Sequence, residues 1–267
     1  MSIPITWVDA FSDAPFAGNP AAVCLLETPL PDDRMQSIAF ELGIAETAFV
    51  TPTAEADVFG LRWFTPTVEV DLCGHATLAA AHALRAGGTV DGAGPLTFHT
   101  RSGPLSASFD GALVALDFPA DPVVPSPLPD ALAGQWDGAV TATGHTPFFA
   151  FVVLSSAEAV RAYVPDLEAI AATGAKALLL TAAGDEASGA DYVLRVFGPN
   201  VGIPEDPATG SAQCSAGPYW STALGRGSET LVARQLSPRG GVLYVRDAGA
   251  RVAIAGHATS VLTGRLC

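Results

Sequence analysis

The chain has 267 residues, 49% hydrophobic and 15% charged, enough to bury one large core or two smaller ones. Its formal net charge of −14, with no basic cluster, excludes the Lys/Arg footprint that nucleic acid or an anionic membrane surface requires. No apolar run approaches the roughly 18 residues of a membrane span, and MSIPITWVDAF lacks the basic start and apolar stretch of a signal peptide, so a cytoplasmic protein is expected.

Strand signals, punctuated by Gly and Pro, lead in chain order. The first half reads ITWVDAF, AAVCLLE, TAFVTP, FGLRWF, LTFHT, LSASFD and ALVALDF. The second reads PFFAFVVLS, KALLLT, YVLRVF, LVARQL, GVLYVR, RVAIAG and SVLTGRL. Helical periodicity predicts helices in DDRMQSIAFELG, HATLAAAHALRAGG, DLEAIAATG and SAQCSAGPYWSTALG. Between the halves, DFPADPVVPSPLPD carries five prolines in fourteen residues and reads as an extended linker.

One stretch is echoed at half-length. LRWFTPTVEVDLCGHAT (61–77) is followed by LRVFGPNVGIPEDPATG (194–210), and a shift of 133 positions carries Leu61, Arg62, Phe64, Pro66 and Val68 onto Leu194, Arg195, Phe197, Pro199 and Val201. That period is too long for a solenoid and predicts a duplicated α+β unit: two similar, pseudo-symmetric domains. HATLAAAHALRA is apolar all round and must be buried, so a curved, mostly antiparallel sheet is expected to wrap it, and likewise in the second copy. Gly217 and Pro218 should kink the second helix. The predicted domains are 1–120 and 121–257.

Several chemistries lack their signatures. The chain's one lysine, Lys176, sits at the start of an apolar strand, which leaves neither a phosphate-loop lysine nor a convincing Schiff-base lysine. No dinucleotide fingerprint and no nucleophile elbow is present. Cys24, Cys73, Cys214 and Cys267 are too scattered for a disulfide framework or a zinc knuckle, and His82, His99, His145 and His257 share no metal-ligand spacing. No metal site is expected.

Each copy of the echo feeds a helix N-terminus, whose unpaired N–H groups and partial positive charge suit a small carboxylate. If two-fold symmetry faces the two turns across a cleft, one carboxylate is held while neighbouring groups address the adjacent carbon. Enzymes with this symmetry can use two thiols. Under the same shift Cys73 falls on Asp206, so a thiol pair is missing and Cys73 reads as a small buried hydrophobe. Acid–base work then falls to Glu46, His75 and Asp206. Structural roles stand beside these: His75 as a helix cap, Asp206 as an Asp-Pro turn former, and Thr209 and Ser211 as partners for orphan amides.

VDAFSDAPFAGNPAAV (8–23), ELGIAETAFV (41–50), RWFTPTVEVDLCGHATLAAA (62–81) and PEDPATGSA (204–212) together resemble the PhzF-like family of phenazine biosynthesis, relatives of diaminopimelate epimerase. The resemblance spans nearly the whole chain. It implies a diaminopimelate epimerase-like fold, a terminal strand 258–267 that joins the first domain, a site between the domains for a small carboxylic acid, no cofactor, and a homodimer. The phenazine enzyme isomerises trans-2,3-dihydro-3-hydroxyanthranilate by moving a proton between ring carbons. Carried over by motif, Glu46 is the proton shuttle, with His75, Asp206 and Ser211 as further catalytic residues. Asn19, Gly74, Ala76, Thr209 and Gly210 are the implied substrate-binding residues. One departure stands out: RQLSPRGGVLYV around Gln235 and Arg239 lacks the usual glycine after the late glutamine and the Gly-Arg-Pro-Ser-like turn, which bears on the substrate. An amino- or imino-acid racemase or epimerase, and a non-catalytic carboxylate binder of the same fold, are the alternatives.

Overall fold

The structure is a computed structural model that describes residues 2–136 and 138–267. The chain divides into two compact units, Met1–Asp117 with Ala255–Cys267, and Phe118–Ile254. Among the described residues no helix is long and apolar enough to cross a membrane.

The first unit runs β1 (Ile3–Ala10), β2 (Asn19–Leu25), α1 (Asp32–Leu42), β3 (Glu46–Pro52), β4 (Val58–Phe64), β5 (Glu69–Val70), α2 (Gly74–Ala86), β6 (Leu96–Thr100), β7 (Gly103–Asp110) and β8 (Leu113–Pro119). Strands β1 and β2 pair antiparallel, β2 and β3 parallel, β3 and β4 antiparallel, β4 and β6 parallel, and β6 to β8 antiparallel. A parallel pair needs a crossover: α1 supplies one between β2 and β3, and α2 lies between β4 and β6. Helix α1 ends where Gly43 turns left-handed at φ 62° and returns its N–H to the Ala39 carbonyl, which starts β3 at Glu46. Helix α2 is buried from His75 through Ala81, and its alanines let β1, β2, β3 and β7 pack around it.

The second unit repeats this order. It comprises β9 (Val124–Pro125), β10 (Val140–His145), β11 (Phe149–Leu154), α3 (Ala157–Ala162), α4 (Leu167–Ala172), β12 (Ala177–Ala183), β13 (Tyr192–Gly198), β14 (Ile203–Asp206), α5 (Gln213–Ala223), β15 (Thr230–Gln235), β16 (Gly241–Asp247) and β17 (Arg251–Gly256). Strands β10 and β11 pair antiparallel, β11 and β12 parallel, β12 and β13 antiparallel, and β13 and β15 parallel. That is the sequence of pairings from β1 to β6. The proline-rich segment contributes the two-residue edge strand β9, where Pro125 needs no ladder donor. Strands β11 and β12 are buried along nearly their whole length because α3 and α4 cover one face while α5 reaches the other: Trp220 Nε1 donates to Thr181 Oγ1 at 2.9 Å and Tyr219 stacks near Phe151.

The last strand, β18 (Ala258–Leu266), lies in the first unit, antiparallel to β1 from Ile3↔Leu266 to Ala10↔Ala258. His82 Nε2 on α2 meets Ser260 Oγ at 3.0 Å and ties this strand to the central helix.

Five elements escape the sequence reading, the short strands β5, β9 and β14 together with α3 and β10, and one helix begins late. Helix α3 is six residues long, too short for a periodic signal, and is marked by Ser156 accepting from the Ala159 N–H. Strand β10, VTATGH, lacks clean apolar alternation. The second central helix starts at Gln213 rather than near Thr209, because residues 210–215 first form a tighter turn with i to i−3 bonds, Gln213 N to Gly210 O and Cys214 N to Ser211 O. Pro218 lies inside α5 without ending it. Proline lacks the N–H that would reach the Cys214 carbonyl, and the Asp121 N–H takes that carbonyl instead at 3.0 Å.

Candidate active site

In the first unit, Glu46 opens β3 and Cys73 precedes α2, with His75 in the first turn of that helix. His75 Nε2 lies 3.1 Å from Glu46 Oε2, with side-chain exposures of 9% and 12%. Cys73 Sγ lies 3.6 Å from His75 Nδ1 and 3.9 Å from Nε2. The turn is fixed from behind: Thr77 returns both its N–H and its hydroxyl to the Cys73 carbonyl, at 3.1 and 2.6 Å. Glu46 pairs in register with Ala21, two residues beyond Asn19, so the buried Asn19 stands at the same end of the sheet.

Burial alone would lower the His75 imidazole, but the Cys73 sulfur and the Glu46 carboxylate beside it outweigh burial and hold it well above its ordinary value. Burial pushes the Cys73 thiol up, against the lowering pull of His75 and of the Ala76 N–H. The arrangement is a buried carboxylate against an imidazole that keeps its proton, set at a helix N-terminus.

In the second unit, the Thr209 hydroxyl donates to Asp206 Oδ2. Gln235, fully buried at the end of β15, straps the same turn: its Nε2 donates to the Asp206 carbonyl at 2.7 Å and to Thr209 Oγ1 at 3.1 Å, while its Oε1 accepts the Thr209 N–H at 2.8 Å. Ser237 Oγ adds a bond to the Pro207 carbonyl at 2.6 Å. The divergent RQLSPRGG segment therefore braces the Asp206–Thr209 turn directly. Because Gln235 occupies the Thr209 N–H, the amides left without an acceptor among the described residues are those of Gly210, Ser211 and Ala212. Ser211 is exposed.

The pairing of the two turns differs from the one a constant shift gives. Trp63 pairs with Val70, and its counterpart Val196 pairs with Asp206, so the shift grows from 133 to 136 across the extra turn Pro199–Val201. Glu69 then matches Glu205, and both bind their arginines through two bonds: Arg62 at 2.7 and 2.7 Å, Arg195 at 2.7 and 2.9 Å. Thr77 matches Gln213, whose Nε2 returns to the Thr209 carbonyl at 3.2 Å as Thr77 does to Cys73. The counterpart of Cys73 is thus Thr209, not Asp206, and that of His75 is Ser211. The position that answers Cys73 therefore carries no thiol in this register either.

The structure gathers Glu46, His75, Gly74 and Ala76 in one unit, with Asn19 at the same sheet end, and Asp206, Thr209, Gly210 and Ser211 in the other. Sequence reasoning set aside Cys73, which joins Glu46 and His75 in a group whose ligand atoms all lie within 4.8 Å of one another. It also gave Gln235 no role. The signal was a glutamine in phase with the apolar Leu231 and Ala233 of LVARQL, where a buried amide needs partners.

The family described as phenazine biosynthesis-like protein, PhzC-PhzF, matches residues 8–264. An uncharacterized isomerase of Pseudomonas aeruginosa is 45% identical over 270 residues, covering 100% of this chain and 99% of the relative. The crystal structure of a PhzF family protein from Enterococcus faecalis superposes with a TM-score of 0.92 at 39% identity, covering 100% of both chains. A hydroxyproline epimerase from Agrobacterium vitis, with bound trans-4-hydroxy-L-proline, shares the fold at TM-score 0.60 and 14% identity, covering 99% of this chain and 92% of that one.

Proposed function

The chain belongs to the PhzC-PhzF family of phenazine biosynthesis-like proteins, and from that premise we propose that it is a cofactor-independent isomerase of a small carboxylic acid. The observation that carries this reading is the contact of Glu46 Oε2 with His75 Nε2 at the start of α2. Glu46 takes a proton from a carbon activated by a conjugated carboxylate and returns a proton to another carbon. The His75 imidazolium keeps the Glu46 carboxylate in place and offsets negative charge that develops on the substrate. Backbone N–H groups at a helix-entering turn hold the substrate carboxylate.

A racemase of the two-thiol type has less support, since Thr209 stands where the second thiol would be. The named isomerase relative favours proton transfer over a purely binding role. A homodimer in the cytoplasm is part of the same proposal, and sedimentation of the purified chain tests its first half.

The deciding experiment incubates the protein in deuterated water with a panel of small unsaturated and cyclic carboxylic acids, including trans-2,3-dihydro-3-hydroxyanthranilate, and follows each by NMR. Double-bond migration, with transfer or exchange at carbon in at least one compound, is expected. Inversion at a single stereocentre without migration would transfer the assignment to the epimerases. Binding with no exchange at any carbon would leave a carboxylate binder.

A further inference from the structure

Glu46, Cys73 and His75 come from sequence positions that share no ligand motif, yet they place an oxygen, a sulfur and a nitrogen around one point. Zinc bonded to S at about 2.3 Å, N at about 2.0–2.1 Å and O at about 2.0–2.2 Å in a tetrahedron sets its donors roughly 3.3–3.6 Å apart. Here Nε2 is 3.1 Å from Glu46 Oε2 and 3.9 Å from Cys73 Sγ. Shifts of a few tenths of an ångström bring these two edges into range, and the third, from the thiol to the carboxylate, is no longer than 4.8 Å and closes with a movement of up to roughly 1.2 Å. A second observation points the same way: Glu46 Oε2 is buried and, despite its nearness to His75, meets no hydrogen-bond geometry. A buried carboxylate oxygen without a well-aimed donor is costly, and a cation at the centre of the three atoms satisfies it.

We propose that Glu46, Cys73 and His75 form a three-ligand site for a borderline-soft divalent cation, foremost Zn²⁺, and that occupancy stops the proton shuttle. One carboxylate, one imidazole and one thiolate suit zinc or cobalt far better than magnesium or calcium, which prefer oxygen alone. Binding is not a redox step. The Cys73 S–H bond and one N–H bond of the His75 imidazolium break, both protons pass to solvent, and S–Zn and N–Zn bonds form, while a Glu46 oxygen donates a lone pair to the metal. The fourth position stays open to water or to a substrate carboxylate. The other thiols do not compete in the core: Cys24 and Cys214 are buried and pushed up to about 12. Cys267 is exposed at the C-terminus and is removed by substitution in the test.

The test uses the full chain carrying Cys267→Ser. Cobalt is titrated in while the thiolate-to-cobalt charge-transfer band is followed, and zinc is then added in competition. One cobalt per chain, displaced by one zinc, is expected, with the band lost in Cys73→Ser. Zinc affinity should fall by at least the roughly 10- to 100-fold that loss of even an outer partner of a metal site costs. Glu46→Gln should keep the band and weaken binding. A band that survives Cys73→Ser, or the absence of any one-to-one binding, overturns the site. Far-ultraviolet dichroism of Cys73→Ser, with Cys73→Ala as the second variant, excludes misfolding as the cause of a lost band. If exchange is found on the carboxylic-acid panel, stoichiometric zinc should abolish it and a chelator should restore it; exchange that persists in the loaded protein overturns the inhibitory role. Metal binding is read without any substrate, so its failure and the failure of the isomerase reading are separate results.

Discussion

Glu46 Oε2 stands 3.1 Å from His75 Nε2, and both side chains are almost wholly withdrawn from solvent. Glu46→Gln keeps the shape of the side chain and removes the base. Since a positioned general base contributes about 10² to 10⁴ in rate, solvent exchange on an active compound should fall by at least a hundredfold while its binding changes only a few-fold. A loss below tenfold would move the proton to another carrier. NMR exchange rates and calorimetric titration read the two quantities.

His75 gives the fold a pH dependence. Its imidazole is held well above its ordinary value in the folded chain, so the folded state binds the proton more tightly than the unfolded state. The stabilisation is complete below the unfolded imidazole value of about 6.5 and is lost as pH rises through the higher folded value. Urea midpoints measured across this range should fall with rising pH, and His75→Gln should flatten that part of the curve. An unchanged slope in the variant would remove His75 as the titrating group.

Gln235 makes three hydrogen bonds to the Asp206–Thr209 turn from a fully buried position. Gln235→Leu keeps the bulk but leaves the Thr209 N–H and the Asp206 carbonyl without that partner, at about 1–3 kcal/mol for each buried group left unsatisfied. Urea unfolding should show a loss in this range. Gln235→Glu, which keeps the acceptor for the Thr209 N–H and loses the donors, should fall between the two. A Leu variant as stable as the wild type would mean that solvent reaches the turn.

The two Arg–Glu pairs separate burial from geometry, because they make the same two bonds in different exposure. Arg195 and Glu205 are 10% and 17% exposed at the side chain, Arg62 and Glu69 32% and 13%. Arg195 also donates to the Tyr163 carbonyl at 2.6 Å. Arg195→Met strands a nearly buried carboxylate and should cost about 3–5 kcal/mol. Arg62→Met should cost clearly less, since Arg101 still reaches Glu69 at 2.7 Å and solvent screens the rest. Equal losses in denaturant unfolding would contradict this ranking.

Gly217 lies in α5 where an added Cβ would come within 2.6 Å of Val245 Cγ1. Gly217→Ala gains helix propensity of roughly 1 kcal/mol but overfills the core, which typically costs about 1–3 kcal/mol. The substitution should be neutral to destabilising alone. Pairing it with Val245→Ala should recover stability relative to Val245→Ala by itself, and thermal unfolding of the four-member cycle measures the coupling.

Much of this protein was legible in its sequence. HATLAAAHALRA, rich in alanine and leucine with Arg85 as its one full charge, announced a largely buried helix, since most of its surface offers water little to hydrate. The repeated LRWF and LRVF strands announced two copies of one unit. The charge balance, the lone lysine and the missing glycine-rich loops narrowed the chemistry, because each excluded class needs particular side chains at fixed spacing. Four ordered motifs pointed to the family that the comparisons then showed.

Tertiary structure decided the register of the echo. A three-residue insertion after β13 is invisible to a constant shift, and only strand pairing and the two Arg–Glu bridges reveal that Thr209, not Asp206, answers Cys73. It also decided what Cys73 and Gln235 touch. A thiol in sequence beside a histidine has no fixed distance to a glutamate 27 positions earlier; the parallel pairing of β2 with β3 and the start of α2 bring them together. Local sequence fixes which way a residue's own backbone turns, whereas contacts between residues remote in the chain depend on how strands pair and helices pack. The grouping of Glu46, Cys73 and His75 belongs to that second kind.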